Sequence, residues 1–228
     1  MSYFANKTVV VLGATGILGQ LTAQDLRQRG ADVRLIVRSP NSLAAALRDL
    51  PVAVADITKR GEVAAALTAV SQGQSLDGII NCTGVVAFGN FSELSDEVAQ
   101  EVMAVNALGV INVISLATTS LNPEGFLASF TGVAADMTIA GMGAYCASKA
   151  AAKAAMGVAA RELRRQKIRV LDIRAPHTET GLITRALEGT APKMPEGLQP
   201  QAVIDRVLDA IAVGEKDLPA EAFAAQSN

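Results

Sequence analysis

The sequence predicts an α/β fold, a doubly wound parallel sheet of about six strands with helices on both faces. Short runs rich in Val and Ile alternate with longer Ala- and Leu-rich stretches. The strand runs are apolar throughout, without the polar alternation of a half-exposed sheet. Continuous apolar strands separated by helices are typical of parallel sheets buried on both faces. A length of 228 residues suits one domain with a substantial core.

The predicted elements alternate in a regular order. Strands are predicted at residues 7–12, 33–37, 52–55, 78–81, 126–131 and 168–173, and helices at 16–29, 41–50, 60–71, 93–120, 145–166 and 200–213. Gly30 follows the first helix, as glycine commonly does where a helix ends. Residues 1–228 are therefore expected to form a single domain. A flexible tail is expected from about residue 219, with fraying over 220–228.

Composition narrows the possible chemistry. The net charge is −2, aromatic residues make up 4%, and the chain has one His and two Cys. His177 and the distant Cys82 and Cys146 disfavour a metal site, and near-neutral charge with few aromatic residues disfavours nucleic-acid binding. A Ser-His-Asp triad would have to use His177. The first residues show no signal peptide, so we expect a cytoplasmic protein with reduced thiols.

One stretch is apolar enough to be mistaken for a membrane span. Residues 102–123 carry no charge and have the necessary length. Asn106, Asn112 and several Ser and Thr residues within this stretch favour a helix buried in protein. We therefore expect no contact with a membrane.

Glycines recur every third residue where the first strand meets the first helix. The sequence there is Gly13-Ala14-Thr15-Gly16-Ile17-Leu18-Gly19. Small residues let the backbone approach a pyrophosphate, whose charge is met by amides at the helix N-terminus. A tight structural turn is the alternative. Because a strand precedes the turn and a helix follows it, the pattern favours dinucleotide binding.

The second strand ends at Arg38-Ser39. An NAD site usually places an acidic residue near this point to hold the ribose 2′-hydroxyl. An arginine can instead bind a 2′-phosphate through its guanidinium fork. The pair therefore favours NADP over NAD, the alternative being a solvated arginine at a strand end.

The third and fourth strands also end in polar or small residues. Asp56, followed by Ile57, can accept a hydrogen bond from an adenine amino group or cap the next helix. The fourth strand ends at Asn81-Cys82-Thr83-Gly84. Its glycine lets the backbone pass close to a cofactor, while Asn81 is a candidate for tying the sheet together.

Tyr145 and Lys149 are one helical turn apart and share a helix face. A nearby ammonium lowers the pKa of a phenol, which would make Tyr145 usable as an acid–base group nearer neutral pH. An ordinary surface pair is the alternative for this spacing alone.

Taken together, these motifs resemble the short-chain dehydrogenase/reductase superfamily from Thr8 to about Val213. They follow the family's order and approximate spacing: the glycine turn, Asp56-Ile57, Asn81-Cys82-Thr83-Gly84, Asn106 in Val105-Asn106-Ala107-Leu108-Gly109, Tyr145-x-x-Ser148-Lys149 and Ala175-Pro176. The resemblance implies a Rossmann-type sheet and hydride exchange between NAD(P)(H) and a carbonyl/alcohol pair.

The resemblance also implies residue roles. Tyr145 would exchange a proton with the substrate oxygen, Lys149 would hold the nicotinamide ribose and lower the pKa of Tyr145, and Asn106 would support a water in the proton relay. NADP(H) is expected rather than NAD(H). The expected cofactor-binding residues are Gly13, Thr15, Gly16, Ile17, Leu18, Gly19, Arg38, Ser39, Asp56, Ile57, Asn81, Thr83, Gly84, Tyr145, Lys149 and Pro176.

Four features depart from the family's pattern. The catalytic Ser, usually thirteen residues before the Tyr, is replaced by Gly132, and the adjacent Thr131 is the candidate substitute. The glycine spacing is that of the extended and atypical branches. The usual Pro-Gly is Pro176-His177, which puts the histidine at the mouth of the expected site or in a solvated loop. No β-branched run follows Val213, so the family's seventh strand is expected to be absent.

Residues 177–200 are long for a plain connection and contain three Pro and three Gly. We interpret them as a substrate loop that orders on binding, with a mobile linker as the alternative. Leu182, Ile183, Leu187 and Met194 predict a small-molecule substrate of partly hydrophobic character.

The helices at 93–120 and 145–166 are apolar over more than one face, and the resemblance implies a homodimer formed through them. Three functional hypotheses follow. The first is an NADP-dependent oxidoreductase with a Tyr–Lys acid–base mechanism. The second is an NADP-binding sensor or regulatory protein with a degenerate site, suggested by Gly132. The third is an epimerase or dehydratase using the same pair, for whose larger substrate domain the chain is short.

Overall fold

A computed structural model describes residues 2–226 of the chain. Seven parallel strands form one sheet in the order β3-β2-β1-β4-β5-β6-β7. The strands are β1 Thr8–Leu12, β2 Asp32–Val37, β3 Val52–Val54, β4 Leu76–Asn81, β5 Leu121–Phe130, β6 Arg169–Ile173 and β7 Asp217–Leu218. The helices are α1 Ile17–Gln28, α2 Arg60–Ser71, α3 Asp96–Met103, α4 Gly109–Ser120, α5 Gly143–Glu162 and α6 Pro200–Val213. The predicted fold class is confirmed.

Apolar layers on both faces of the sheet form the core. Val9 and Val11 of β1 lie in the cluster that contains the buried faces of α1 and α6. Val10 and Leu12 point the other way, into the cluster formed with α2, α4 and α5. All four are almost fully buried, and burying an aliphatic side chain of this size contributes about 1.5–3 kcal/mol. Burial on both faces explains why the central positions of β1 are apolar without alternation.

The sheet order reverses direction between β1 and β4. The chain moves outward from β1 to β2 and β3, then returns to place β4 on the other side of β1. In open α/β sheets this reversal leaves a crevice at the carboxyl ends of the two strands, where ligands bind. The glycine turn after β1 and the Asn81–Gly84 segment after β4 therefore face the same crevice.

The predicted helix at 41–50 is wrong. The segment forms two short 3₁₀ turns, Pro40–Ser42 and Ala45–Leu47, separated by an extended break. Leu43 and Leu47 are both buried in the core. The break lets both leucines reach that layer, so tertiary packing overrides the local helix propensity.

The prediction that the seventh strand is absent is also wrong. A seventh strand is present, because the two residues of β7 pair with Asp172 and Ile173 of β6 without needing a β-branched run. Ala220–Gln226 forms a 3₁₀ helix with Phe223 buried in the core, and the flexibility expected from about residue 219 stays a prediction. Residues 227 and 228 lie outside the described residues.

One helical run, Asp96–Ser120, is long and apolar enough to cross a membrane by length and composition. It comprises α3, a π-helical turn at Ala104–Leu108 and α4. Of its most apolar window, 44% is buried inside the protein, and Val110 and Val113 pack in the core. Core packing therefore accounts for part of its apolarity.

Candidate active site

The turn after β1 is built so that only glycine fits at two of its positions. Gly13 has φ +84°, a conformation that other residues rarely adopt. A Cβ at Gly19 would lie 2.3 Å from the Gly13 carbonyl oxygen, so the helix and the turn touch backbone to backbone. Helix α1 begins at Ile17, and no side chain caps its N-terminus. The first amides of α1 are thus available to an anion at a backbone surface with no obstructing side chains.

Arg38 and Ser39 lie exposed at the carboxyl end of β2. Among the described residues, Arg38 forms no hydrogen bond or ion pair, and the Ser39 side chain does not cap the following turn. The neighbouring strand places Asp56 close to them. Burial opposes a low pKa at Asp56, but hydrogen bonds from Thr58 and the charges of Lys59 and Arg38 lower it.

Asp56 holds its own turn together. Its Oδ1 accepts hydrogen bonds from the Thr58 N–H at 2.9 Å and the Thr58 hydroxyl at 2.7 Å. Ile57 is buried against Gly109, and its carbonyl accepts a hydrogen bond from Asn112 at 2.9 Å. These two residues shape the edge of the crevice; Asp56 closes the turn before α2, whose N-terminus has no side-chain cap.

Asn81 ties the sheet together, the role weighed for it from the sequence. Its Nδ2 donates to the Ser129 hydroxyl at 3.2 Å, while its Oδ1 accepts from the N–H and hydroxyl of Thr83 at 3.1 and 2.7 Å. The next residue, Gly84, lies beside the polar groups of the helices. A Cβ there would come within 3.4 Å of Lys149 Nζ and 3.5 Å of Asn106 Oδ1. The glycine thus lets the backbone run directly past Lys149 and Asn106.

Tyr145 and Lys149 share one face of α5, as their spacing predicts. Lys149 Nζ lies 5.8 Å from the centre of the Tyr145 ring and donates a hydrogen bond to the Phe130 carbonyl at 3.0 Å. Lys149 is buried, with 6% of its surface exposed, and Tyr145 is half-buried. The alternative of an ordinary surface pair does not fit this burial.

Burial acts against the predicted lowering of the Tyr145 pKa in the cofactor-free chain. Burial raises the pKa of Tyr145 to about 12, with a smaller contribution from Cys146. Burial also lowers the pKa of Lys149 to about 8, although Asp172 opposes this change. Desolvation disfavours the charged form of each group, and it outweighs their mutual influence at this separation.

Asn106 lies in the π-helical turn between α3 and α4, a type of helix irregularity often found at functional sites. Its Nδ2 donates to the Val85 carbonyl at 2.8 Å and to the Ser148 hydroxyl at 3.0 Å. Its Oδ1 accepts from the Val85 N–H at 3.0 Å. Asn106 therefore fastens the segment after β4 to α5, next to Lys149.

Thr131 does not stand in for the missing serine. It is fully buried, and its hydroxyl donates to Asp172 Oδ1 at 2.5 Å, so its proton is not available to a substrate. Gly132 offers no side chain, although open space surrounds the position where a Cβ would stand. Its φ of +77° would strain any other residue. The sequence could not reveal this, because Asp172 is 41 residues from Thr131.

The loop after β6 closes over α5. Pro176 and His177 are half-buried, and His177 Nε2 lies 3.3 Å from Glu179 Oε1, so the histidine is neither free in water nor unpartnered. A bridge between Thr178 and Leu198 closes the base of the loop. The apolar residues packed around Tyr145 and Cys146 come from three segments: Val86 and Phe88, Ala134, Ile139 and Met142, and Leu182, Ile183, Ala186 and Ala191.

The sequence analysis did not predict that the segment after β4 hydrogen-bonds to the loop after β6. The Leu187 N–H donates to the Val86 carbonyl at 2.9 Å, and the Phe88 N–H donates to the Glu188 carbonyl at 2.9 Å. Ser95, which precedes α3, donates its hydroxyl to Glu188 at 2.5 Å. The one indication of this contact in the sequence is Gly189, because a Cβ there would lie 1.9 Å from the Phe88 carbonyl oxygen and only glycine lets the two backbones come so close.

Residues 2–226 contain no group of three or more His, Cys, Asp or Glu side chains placed to hold a metal ion. The polar groups that the structure brings to the crevice are therefore backbone amides, a phenol, an ammonium and a guanidinium. These groups suit an anionic ligand and a proton transfer.

A family model described as short chain dehydrogenase matches residues 7–190. The chain therefore belongs to the short-chain dehydrogenase family, which confirms the resemblance drawn from its motifs. An uncharacterized oxidoreductase of Methylorubrum extorquens is 30% identical to it over 219 residues, covering 90% of this chain and 86% of the relative. Dehydrogenase/reductase SDR family member 7B of Mus musculus is 25% identical, covering 95% of this chain and 74% of the relative.

Solved structures agree with this assignment. A short chain dehydrogenase from Burkholderia cenocepacia J2315 in complex with NADP superimposes with a TM-score of 0.83 at 26% identity, covering 99% of this chain and 92% of that one. A putative dehydrogenase from Burkholderia cenocepacia with bound NADP has a TM-score of 0.84 at 24% identity, covering 96% and 93%, and supports the fold.

Proposed function

We propose that the protein is an NADP(H)-dependent oxidoreductase that transfers hydride between the cofactor and a carbonyl/alcohol substrate. The observation that carries this proposal is the placement of Tyr145 and Lys149 on one face of α5. Lys149 lies beside Gly84 at the end of β4, and the anion-binding turn follows the adjacent β1. A proton-exchanging group and a dinucleotide turn therefore meet at one crevice.

The residues present fit a nicotinamide dinucleotide. The close backbone contact of Gly13 and Gly19 and the uncapped start of α1 suit a pyrophosphate. The exposed Arg38 and Ser39 suit a 2′-phosphate. The Burkholderia cenocepacia J2315 relative, whose structure contains NADP, supports the choice of this cofactor.

The chain's own residues supply binding and proton transfer. Bound NADP(H) would supply or accept the hydride. Tyr145 would protonate the carbonyl oxygen in reduction and take the proton back in oxidation. A phenol is protonated at neutral pH and can therefore donate the proton in reduction, although burial, which raises the pKa of Tyr145 to about 12, makes it a weaker acid in the cofactor-free chain. Lys149, whose pKa is about 8, is mainly cationic at neutral pH and would hold the ribose hydroxyls.

The substrate that we propose is a small molecule with a substantial apolar part. The side chains around Tyr145 include Val86, Phe88, Met142, Leu182 and Ile183. Transfer of apolar surface from water to such a lining favours binding by roughly 25 cal/mol for each Å² buried. Neighbouring backbone and hydroxyl groups would then only need to orient the carbonyl.

A second candidate is an NADP-binding regulatory protein with weak or no turnover. Thr131 and Gly132 favour it, since the first donates its hydroxyl to Asp172 and the second has no side chain. Loss of one donor to a developing oxyanion can cost on the order of a hundredfold in rate. Robust reduction of any carbonyl compound by NADPH would exclude a purely regulatory role.

The cofactor preference predicts the effect of Arg38→Ala. The variant should raise the Kd for NADPH about tenfold or more and leave the Kd for NADH within about twofold, because only the 2′-phosphate is bound by the guanidinium. Thermal-shift titrations with both cofactors measure this. Arg164→Ala, an exposed arginine beyond the far end of α5, is the control and should change neither value. Tighter binding of NADH than of NADPH by the natural chain would refute the preference.

We also propose a homodimer formed through α4 and α5, as the family resemblance implies. Leu108 and Ile111 are exposed near the start of α4, and Val158 is 53% exposed on α5 beside Gly157, where a Cβ would meet open space. A small residue beside exposed apolar ones suits close helix packing across a two-fold axis.

Val158→Glu should therefore convert a dimer into a 23.5 kDa monomer in size-exclusion chromatography with light scattering. Val213→Glu is the matched control, since Val213 is 76% exposed but ends α6. A monomeric natural chain would remove the proposal.

The proposed location is the cytoplasm. Cys82 and Cys146 are free thiols, which suits a reducing compartment.

A further inference from the structure

A cluster of charged side chains, of which Asp172 and Arg174 are buried and Asp136 and Asp217 are exposed, lies near the ends of β5, β6 and β7. Its centre is Asp172, which is 8% exposed and accepts the Thr131 hydroxyl at 2.5 Å. Arg174 donates to Asp172 Oδ2 at 2.6 Å and to both oxygens of Asp217 at 2.6 and 3.0 Å. Its Nε lies 2.8 Å from Asp136 Oδ2, in contact but outside hydrogen-bond geometry.

Such a cluster is poorly explained by stability alone. Removing charges from water costs free energy that their mutual attraction often fails to recover, so a buried ion pair is weak evidence of stabilisation. The chain keeps Asp172 and Arg174 almost fully buried in spite of this. A role in positioning other groups would account for their retention.

The cluster is connected to Lys149 through the end of β5. The N–H groups of Thr131 and Gly132 both donate to the Ile173 carbonyl at 3.0 Å. Phe130, the last residue of β5, offers the carbonyl that accepts the hydrogen bond from Lys149 Nζ. Asp172 therefore holds the residue directly after the one that anchors the ammonium.

The charged groups around Lys149 come from each element packed against it. They are Tyr145 and Lys153 on α5, Asp136 in the 3₁₀ turn Val133–Asp136 after β5, Asp172 and Arg174 at the end of β6, and Asp217 on β7. Lys153 pairs with Asp136. Asp96, Glu97 and Glu101 on α3, which also packs on α5, form no ion pair with Lys149 in the described chain. Asp172 is thus the carboxylate best placed to act on the ammonium.

We infer that Asp172 is a positioning residue for Lys149: its hydrogen bond to Thr131 fixes the end of β5, where the Phe130 carbonyl anchors the ammonium. The Asp172 carboxylate also raises the pKa of Lys149, against the larger effect of burial. The inference rests on the proposed function in giving Lys149 a role at the cofactor. The effect of Asp172 on the position and pKa of Lys149 can be measured whether or not the protein turns over a substrate.

The test measures the pKa of Lys149 by NMR in protein labelled with ¹³C at the lysine side chains. The Lys149 signal is assigned as the one that is missing from the spectrum of Lys149→Met. Asp172→Asn keeps the shape of the side chain and removes the charge. It should lower the pKa of Lys149 by about half a unit or more from its value of about 8. The alkaline limb of the pH profile for kcat/KM should move in the same direction.

Asp32→Asn is the matched control. Asp32 and Arg34 form the same i, i+2 pair on β2, with 2.6 Å between Arg34 Nη2 and Asp32 Oδ2, but Asp32 lies at the amino end of β2, four strands away from β6 in the sheet. This variant loses an ion pair of similar geometry and should leave the titration of Lys149 unchanged.

Thr131→Val provides a second route should Asp172→Asn fail to fold. It removes the hydrogen bond and keeps the carboxylate, and should lower the pKa of Lys149 by a smaller amount. The double variant should lower the pKa further than either single variant, because the amide oxygen introduced by Asp172→Asn can still accept the Thr131 hydroxyl and each substitution therefore removes a different contribution. Unchanged titration of Lys149 in either folded single variant would overturn the inference. A chain that reduced no carbonyl would refute the proposed function and leave this titration equally decisive.

Discussion

Tyr145→Phe will lower kcat for carbonyl reduction by about a hundredfold to ten-thousandfold, with NADPH still bound. The change removes one oxygen atom and with it the proton that reaches the substrate oxygen, a contribution of this size for general acid catalysis. The ring remains packed against the apolar side chains around it. The measurements are NADPH oxidation with a panel of carbonyl compounds and a thermal-shift titration with NADPH.

Tyr3→Phe is the matched control, because Tyr3 is the only other tyrosine. Tyr3 precedes β1, and its hydroxyl contacts Arg169 at the amino end of β6, whereas the site lies at the carboxyl ends of the strands. The control should keep the natural kcat. Retention of more than about a tenth of the activity in Tyr145→Phe would rule out Tyr145 as the acid.

Lys149→Met will abolish most activity and at the same time stabilise the cofactor-free protein by up to about 3 kcal/mol at pH 7, less the contribution of the lost hydrogen bond to the Phe130 carbonyl. Burial lowers the pKa of Lys149 from 10.5 to about 8. Keeping this buried ammonium charged at neutral pH therefore lowers the free energy of unfolding. A methionine of similar length removes that cost and fills the same space. Urea denaturation at pH 7 measures the gain. Lys153→Met is the control: Lys153 is exposed and paired with Asp136, so its loss should not stabilise the protein.

The pH dependence of this gain follows from the direction of the shift. Because the folded pKa of Lys149 lies below the unfolded one, the unfolded chain binds more protons between about pH 8 and pH 10.5. The natural protein therefore gains stability relative to Lys149→Met as pH rises through that window, and the difference should vanish near its upper end. Taking the difference between the two proteins removes the opposite effects of Tyr145 and Cys82, whose pKa values burial raises. A difference independent of pH would contradict the assigned cost of the buried ammonium.

Local patterns in the sequence predicted the parts of the structure that depend on neighbouring residues. The glycine turn, the alternation of strands and helices, and the shared face of Tyr145 and Lys149 follow from spacings of three or four residues. The Thr131–Asp172 contact and the three hydrogen bonds of Asn106 join residues 21 to 42 positions apart, and no periodicity in the sequence indicates them. These long-range contacts decide which hydroxyl is free and how the loop after β4 is held. The raised pKa of Tyr145 was missed for a similar reason, since burial depends on the assembled core.

Burial and pairing likewise explain the errors at the edges of the fold. The two residues of β7 form a strand because Arg174 binds Asp217 and the Arg174 N–H donates to the Leu218 carbonyl at 2.9 Å. The segment after β2 forms short turns because Leu43 and Leu47 both reach the core. In each case a tertiary contact outweighs weak local preference.

The central claim is that this chain passes hydride between NADPH and a carbonyl carbon. The most direct measurement supplies NADPH deuterated at C4, in separate samples for each face, together with a panel of apolar ketones and aldehydes. We expect an alcohol product one mass unit heavier with one of the two labelled cofactors, formed at least about a hundredfold more slowly by Tyr145→Phe. Bound cofactor with no deuterium in any product would contradict the claim and favour the regulatory alternative.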